Sequence, residues 1–262
     1  MPDLIFNKSD HIAYITLNRP EKMNAMNQEI LDGLDDAWIR IRDDDEIWCA
    51  IINGAGERAF SAGVDLQDIS DVAQVDDSDM PRAATKFQPR LLWKTLEVCK
   101  PIIAAVNGYC LAGGLELALA CDFIIASDNS YFGLPEVSRA IIPVGGGTQR
   151  LPRTVHFRKA LEMLLTGDRM GAQEAYNIGL VNKVVPHSDL MSVSDELANK
   201  IISNGPLAVR AIKELAYKGM DMTLEQGLSF EKLVSDRISA TEDAKEGPLA
   251  FTEKRKAVYK GR

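Results

Sequence analysis

Apolar and polar positions alternate at the start of the chain, where residues 4–7 and 12–18 read as two strands of a hairpin turning at Ser9 and Asp10. The period then changes. Over 27–42 the apolar residues Ile30, Leu31, Leu34, Ala37, Trp38 and Ile41 follow the spacing of an amphipathic helix, with Asn27 placed to cap it. A strand is predicted over 47–53, and Gly54, Gly56 and Gly63 punctuate the loop that follows. The acidic run through Asp68, Asp71, Asp76, Asp77 and Asp79 reads as a solvated surface excursion. Residues 101–107 (PIIAAVN) are β-branched and apolar like a buried strand, 115–121 form a short helix with little polar surface, and 122–126 another strand. Beyond Pro143, helices are predicted over 157–165, 172–178, 190–203, 207–217, 224–240 and 243–256, with one strand at 180–185. Strands mixed with helices, followed by helices alone, imply an α/β core with a helical C-terminal region.

The 262 residues suffice for one substantial core. Asp and Glu outnumber Lys and Arg by 38 to 30, a formal charge of −8 that argues against nucleic acid as the main partner. The first residues lack a basic segment followed by an apolar one, and no apolar run approaches the ~18 residues of a membrane span, so a soluble, cytoplasmic protein without a membrane partner is expected. Cys49, Cys99, Cys110 and Cys121 sit in apolar runs without a CxxC pair and read as reduced thiols rather than as a zinc cluster or a disulfide framework.

Two motifs compete for attention. Residues 54–59 (GAGERA) fit the form of a dinucleotide fingerprint, but that fingerprint needs a helix beginning within its glycines, and here FSAG continues the loop. The segment 107–121 (NGYCLAGGLELALAC) is more informative. A helix starting at Gly113 and Gly114 leaves N–H groups without intrahelical partners, which favours an oxygen bearing negative charge. Glu116 follows within one turn, flanked by Leu115, Leu117, Ala118, Leu119 and Ala120. A glutamate on a helix apolar all round is buried or at a cavity wall, and burying it unpaired costs roughly several kcal/mol or raises its pKa. Glu136, in FGLPEV, reads on its own as a surface loop residue. Gly145, Gly146 and Gly147 stand before another helix start that either faces a ligand or packs closely. His11, His156 and His187 are isolated and form no catalytic set.

Taken together these motifs resemble the crotonase, or enoyl-CoA hydratase/isomerase, family over essentially the whole chain. The similarity runs through NRPEKMNAM (18–26), NGAGERAFSAGVDL (53–66), the long segment 101–137, IPVGGGTQRLPR, TGDRMGAQEAYNIGLVNKVV and the closing EDAKEGPLAFTEKRKAVYKGR, which is also similar to hydratases of carnitine-type substrates. The resemblance implies a crotonase-type spiral of ββα units: an α/β core over 1–188 with the acyl-CoA site, and a helical region over 189–262 for oligomerisation and completion of the coenzyme site. It further implies an oxyanion hole made by the N–H groups of Val64 and Gly113, with Val64 standing where the family often has Ala and Ala112 where a first glycine is common. Glu116 and Glu136 match both of the glutamates used by family hydratases, whereas isomerases, hydrolases and dehalogenases of the superfamily typically lack one or both.

By the same resemblance coenzyme A lies along Lys22, Met23 and Ala25 and along the loop with Ala62, Asp65 and Leu66. Phe251 and Lys254, often contributed by a neighbouring subunit, would reach it from the C-terminal helix. The activity implied is reversible hydration of the 2,3 double bond of an enoyl-CoA in fatty-acid β-oxidation. A homotrimer or hexamer is implied, with no metal and no cofactor beyond the coenzyme A carried on the substrate. Alternatives on the same scaffold are a double-bond isomerase or a hydratase specialised for a branched, aromatic or carnitine-linked acyl group. A non-catalytic RNA-binding or scaffold member is the reading from another class, and the acidic balance and intact glutamate pair weigh against it.

Overall fold

The computed structural model describes residues 1–65 and 98–262. Leu66 and the acidic run from Asp68 to Asp79 lie outside the described residues.

Leu4–Ser9 (β1) and Ile12–Leu17 (β2) pair antiparallel with Ser9 opposite Ile12. The turn is therefore Asp10 and His11, one residue later than the sequence suggests, with Asp10 at φ +49°, a conformation a short polar side chain tolerates. Helix Gln28–Asp43 (α1) begins as its spacing predicts, and the Asn27 side chain accepts the Ile30 N–H at 3.1 Å. Cys49–Gly54 (β3) and Ala59–Ser61 (β4) follow. The GAGERA segment thus joins strand to strand, and no helix begins within it.

Ile102–Val106 (β5), Tyr109–Leu111 (β6) and Gly113–Ala120 (α2) make one strand–strand–helix turn of the chain. The next contains Phe123–Ser127 (β7), Tyr131–Gly133 (β8), a 3-10 turn at Pro135–Arg139, and Gly147–Thr154 (α3). Phe157–Thr166 (α4), Arg169–Gly171 (β9), Ala172–Asn177 (α5) and Lys183–Val185 (β10) lead to the helical end. That end consists of Leu190–Ile202 (α6), Pro206–Gly219 (α7), Leu224–Ser239 (α8) and Glu242–Thr252 (α9).

Each turn lays its first strand in one sheet and its second in another. The larger sheet has the order β1-β2-β3-β5-β7-β10, parallel from β2 onward, and the smaller β4-β6-β8-β9. The central strands β3, β5 and β7 of the larger sheet are largely apolar on both faces because both faces are covered there. In β5, Ile102, Ala104 and Val106 point into the main core with Trp38, Phe60, Leu117 and Phe132, while Ile103 and Ala105 face the other way. There they meet Leu190 and Ala198 of α6, and the Tyr14 hydroxyl donates to Asp195 at 2.9 Å across the same interface.

α7 is fixed to the sheet by charge. Lys213 donates to Asp122 Oδ2 at 2.6 Å and to the Lys100 carbonyl at 2.9 Å, and the Tyr217 hydroxyl donates to Asp122 Oδ1 at 3.0 Å. By contrast α8 buries one side chain, Val234, and leaves Leu224, Leu228 and Leu233 exposed. The residues after α9 fold back along it: Asp243 accepts the N–H groups of Lys260 and Gly261 at 2.7 and 2.8 Å, and Glu246 takes Arg255 in two bonds at 2.6 and 2.8 Å.

Candidate active site

α2 starts where β6 ends, and the chain makes that change at Ala112 with φ +50° and ψ −129°, backbone that favours glycine. Holding alanine there costs about 1–3 kcal/mol of strain. The Ala112 N–H is anchored on the Gly133 carbonyl at 2.9 Å. All eight residues of the helix are buried, as its uninterrupted apolar sequence implies. The N–H of Gly113, first in the helix, has no intrahelical partner.

The loop carrying Val64 is built against that helix start. A β-carbon on Gly114 would strike the Ser61 carbonyl, and one on Gly113 would stand 3.5 Å from the Val64 nitrogen, so Val64 and Gly113 face one another. Val64 is spared by its neighbours, since the amides on either side are already engaged: Gly63 donates to the Ser61 hydroxyl at 3.1 Å and Asp65 to the Met26 carbonyl at 3.0 Å. Among the described residues neither Val64 nor Gly113 donates its backbone N–H to a partner outside regular helix or strand bonding. Two adjacent unclaimed donors at a helix start suit an oxyanion.

Met23 and Ala25 lie beside the same loop. Ala62 donates to the Met23 carbonyl at 3.0 Å and Met26 to the Gly63 carbonyl at 2.8 Å, so segments separated by nearly forty residues run side by side. Asn24 organises them. It is wholly buried at φ +51°, accepts the Arg19 N–H at 2.9 Å, donates to the carbonyls of Ala55 and Ala59 at 3.0 and 2.7 Å, and offers its own carbonyl to Ser61 Oγ at 2.8 Å. Sequence reasoning passed over Asn24. An Asn two residues after Lys22 with the ability to enter the left-handed region was the available signal. Asp65 meets Arg19 at 3.2 Å, while Lys22 is exposed at the mouth of the loop.

Both glutamates are buried, Glu116 with 4% and Glu136 with 8% of its surface exposed. The burial of Glu136 corrects the surface-loop reading: the 3-10 turn after β8 tucks it inward, and its Oε2 has no hydrogen-bond partner among the described residues. Burial pushes Glu136 up to about 7, helped by the negative charge of Glu116 and opposed by its own N–H and Arg139. Burial raises Glu116 as well, but the amides of Gly147 and Gly145 and the cation of Arg150 pull it back. Gly147 donates to Glu116 Oε1 at 2.8 Å. That bond settles what the glycine triplet does: a β-carbon on Gly147 would stand 3.1 Å from the same oxygen, so the residue must be small for its amide to reach the carboxylate.

The described structure thus brings together Val64, Gly113, Glu116, Glu136, Met23, Ala25, Ala62 and Asp65. Phe251, in the last turn of α9, is 86% exposed, and Lys254, just beyond the helix at φ +55°, is exposed as well; no contact joins either to these residues among the described ones.

The chain matches the family described as enoyl-CoA hydratase/isomerase over residues 7–262. The chain belongs to this family. Among its curated relatives, (E)-benzylidenesuccinyl-CoA hydratase of Thauera aromatica is 42% identical over 254 residues, covering 97% of each chain. Short-chain-enoyl-CoA hydratase of Clostridium acetobutylicum is 41% identical, over 97% of this chain and 96% of that one. The crystal structure of enoyl-CoA hydratase from Bacillus anthracis superposes with a TM-score of 0.92 at 39% identity, covering 99% of this chain and 100% of the other. The two-sheet spiral with its helical end is therefore the crotonase fold of the enoyl-CoA hydratases, as the sequence resemblance implies.

Proposed function

We propose that this family member is a hydro-lyase that adds water reversibly across the 2,3 double bond of an enoyl-CoA. The observation that carries the reading is a pair of buried glutamates of unequal environment, on a helix start and a 3-10 turn, next to two unclaimed amides. In this mechanism the N–H groups of Val64 and Gly113 hold the thioester oxygen and draw electron density from Cβ. They stabilise the enolate-like charge of the transition state, where losing one such donor costs about 3–4 kcal/mol. Glu116, held by Gly147 and beside Arg150, is the better placed to be ionised and takes a proton from water as it attacks Cβ. Glu136, near neutrality by burial, delivers a proton to Cα. Each transfer contributes on the order of a hundred- to ten-thousand-fold, and dehydration of the 3-hydroxyacyl-CoA is the reverse.

Lys22, Met23, Ala25, Ala62, Asp65 and Leu66 form the coenzyme side of the site in this reading, with Phe251 and Lys254 contributed by a neighbouring copy. The apolar face left on α8 is consistent with a trimer or hexamer built on the 189–262 region. The reaction fits fatty-acid β-oxidation in the cytoplasm. An aromatic acyl group is the second reading of the substrate, favoured by the relative from Thauera aromatica.

The test is turnover of the purified protein against crotonyl-CoA, longer straight-chain enoyl-CoAs and an aromatic enoyl-CoA, followed by loss of the enoyl thioester absorbance. Hydration of at least one of them is expected. A folded protein inert towards all, or one that shifts the double bond without adding water, would overturn the assignment.

A further inference from the structure

Arg150 is a half-buried cation that the two-glutamate chemistry does not use. It lies in the first turn of α3, its N–H bonded to the Gly146 carbonyl at 2.7 Å, and its side chain turns back over the loop before the helix. Nη1 donates to the Gly145 carbonyl at 3.0 Å. Gly146 is at φ +105°, and a β-carbon there would collide with Nη1, so the guanidinium occupies the space that the absent side chain leaves. The next residue is Gly147, whose amide holds Glu116 at 2.8 Å. One side chain therefore clamps the carbonyl two residues before the amide that fixes the first glutamate.

Among the described residues, the titratable groups facing Arg150 come from two elements, α2 with its C-terminal cap and α7. They are Glu116 and, at the end of α2, the Cys121 thiol, with the Tyr217 hydroxyl reaching in from α7. Burial pushes both the thiol and the phenol up, and Tyr217 is further tied to Asp122, itself bonded to Lys213, so neither ionises near neutrality. Of these three, Glu116 is the one left to carry the negative charge. On its other side Glu116 meets the Gly145 and Gly147 amides and the charge of Glu136.

We infer that Arg150 is a positioning residue for hydration: it locks the Gly145-Gly146-Gly147 turn and holds Glu116 in its ionised form, so that Glu116 and Glu136 begin the reaction in different protonation states. The inference rests on the two-glutamate reading for its kinetic consequence, while its structural content, a guanidinium that clamps the turn whose Gly147 amide bonds Glu116, stands independently.

The test compares Arg150→Met, which keeps length but removes charge and donors, with Arg150→Lys, which keeps the charge. Glu116 is followed directly by carbon-13 NMR of protein labelled at glutamate carboxyls, with Glu116→Gln identifying its signal, and kcat and KM for enoyl-CoA are measured across pH. In Arg150→Met the Glu116 titration should move to higher pH, the acid limb of kcat should move with it, and kcat at neutrality should fall about ten- to a hundred-fold at unchanged KM. Arg150→Lys should hold the titration near that of the parent and recover part of kcat. Should Arg150→Met fail to fold, Gly146→Ala displaces the guanidinium without deleting it and should raise the Glu116 titration in the same direction. An unmoved Glu116 signal with parental kcat in a folded variant would overturn the inference. If the parent protein hydrates no enoyl-CoA, the functional reading fails, and the NMR titration still decides the clamp.

Discussion

Gly63 and Ala112 stand back to back, and a β-carbon placed on Gly63 would lie 2.8 Å from that of Ala112. Their C-terminal neighbours, Val64 and Gly113, supply the two amides proposed for the thioester oxygen, so the contact sets the separation of the donors. Gly63→Ala would also force φ +98° on a residue with a side chain. We expect it to lower kcat by up to the hundred- to thousand-fold that loss of one donor produces. Steady-state kinetics, with circular dichroism to verify folding, checks it; parental kcat would mean the spacing is not critical.

Burial of Glu136 has a cost that stability measurements can read. Its carboxyl is raised from 4.5 to about 7 in the folded state. The folded protein thus binds the proton more tightly, and the stability this provides is complete below pH 4.5 and lost as pH rises through 7. At pH 8 the ionised carboxylate destabilises the fold by about 3 kcal/mol. Glu136→Gln, uncharged at every pH, should therefore melt at a higher temperature than the parent at pH 8, with the gain vanishing toward pH 4.5. A variant less stable than the parent at pH 8 would show that this carboxylate is stabilised by partners when ionised.

Asp65→Asn should act through the loop rather than the chemistry. The ion pair with Arg19 at 3.2 Å joins the Val64 loop to the turn that carries Lys22 and Met23, and Arg19 also donates to the Ala25 carbonyl at 2.8 Å. Weakening that link should raise KM for acyl-CoA several-fold and leave kcat within a few-fold of the parent. A kcat loss as large as that of a glutamate variant would place Asp65 in the reaction itself.

The exposed position of Lys254 has meaning if a second copy brings it to the nucleotide. Light scattering should give a trimer or hexamer, and Lys254→Ala should weaken acyl-CoA while leaving the matching acyl-pantetheine, which lacks the nucleotide, unaffected. Equal losses for both thioesters by calorimetry would remove Lys254 from the coenzyme site.

Legibility followed element length and the range of the deciding contacts. α1 could be read to its cap because sixteen residues repeat the helical period and Asn27 stands where a cap is needed. The strands β4, β6 and β9 have three residues each, too few to show alternation, and the second sheet was consequently invisible. α3 was legible as a helix start after the glycine triplet but not in its extent, because Pro152 interrupts its pattern. Burial of Glu116 was legible from its apolar helix, whereas burial of Glu136 depends on a chain reversal that no local pattern announces. Gly147 acts through its amide on a residue 31 positions away, and Asn24 and Arg150 likewise act through backbone carbonyls distant or folded back. Such contacts leave no periodicity to read.

The central claim is that Glu116 and Glu136 act together on one water and one substrate. Glu116→Gln and Glu136→Gln each preserve shape while abolishing proton transfer, and single-turnover loss of the enoyl thioester absorbance measures the hydration step itself. Each variant should fall by at least about a hundred-fold with little change in substrate affinity, and the double variant should be barely slower than the singles, because groups serving one transition state are not additive. Folded single variants that hydrate at near the parental rate would contradict the two-glutamate mechanism.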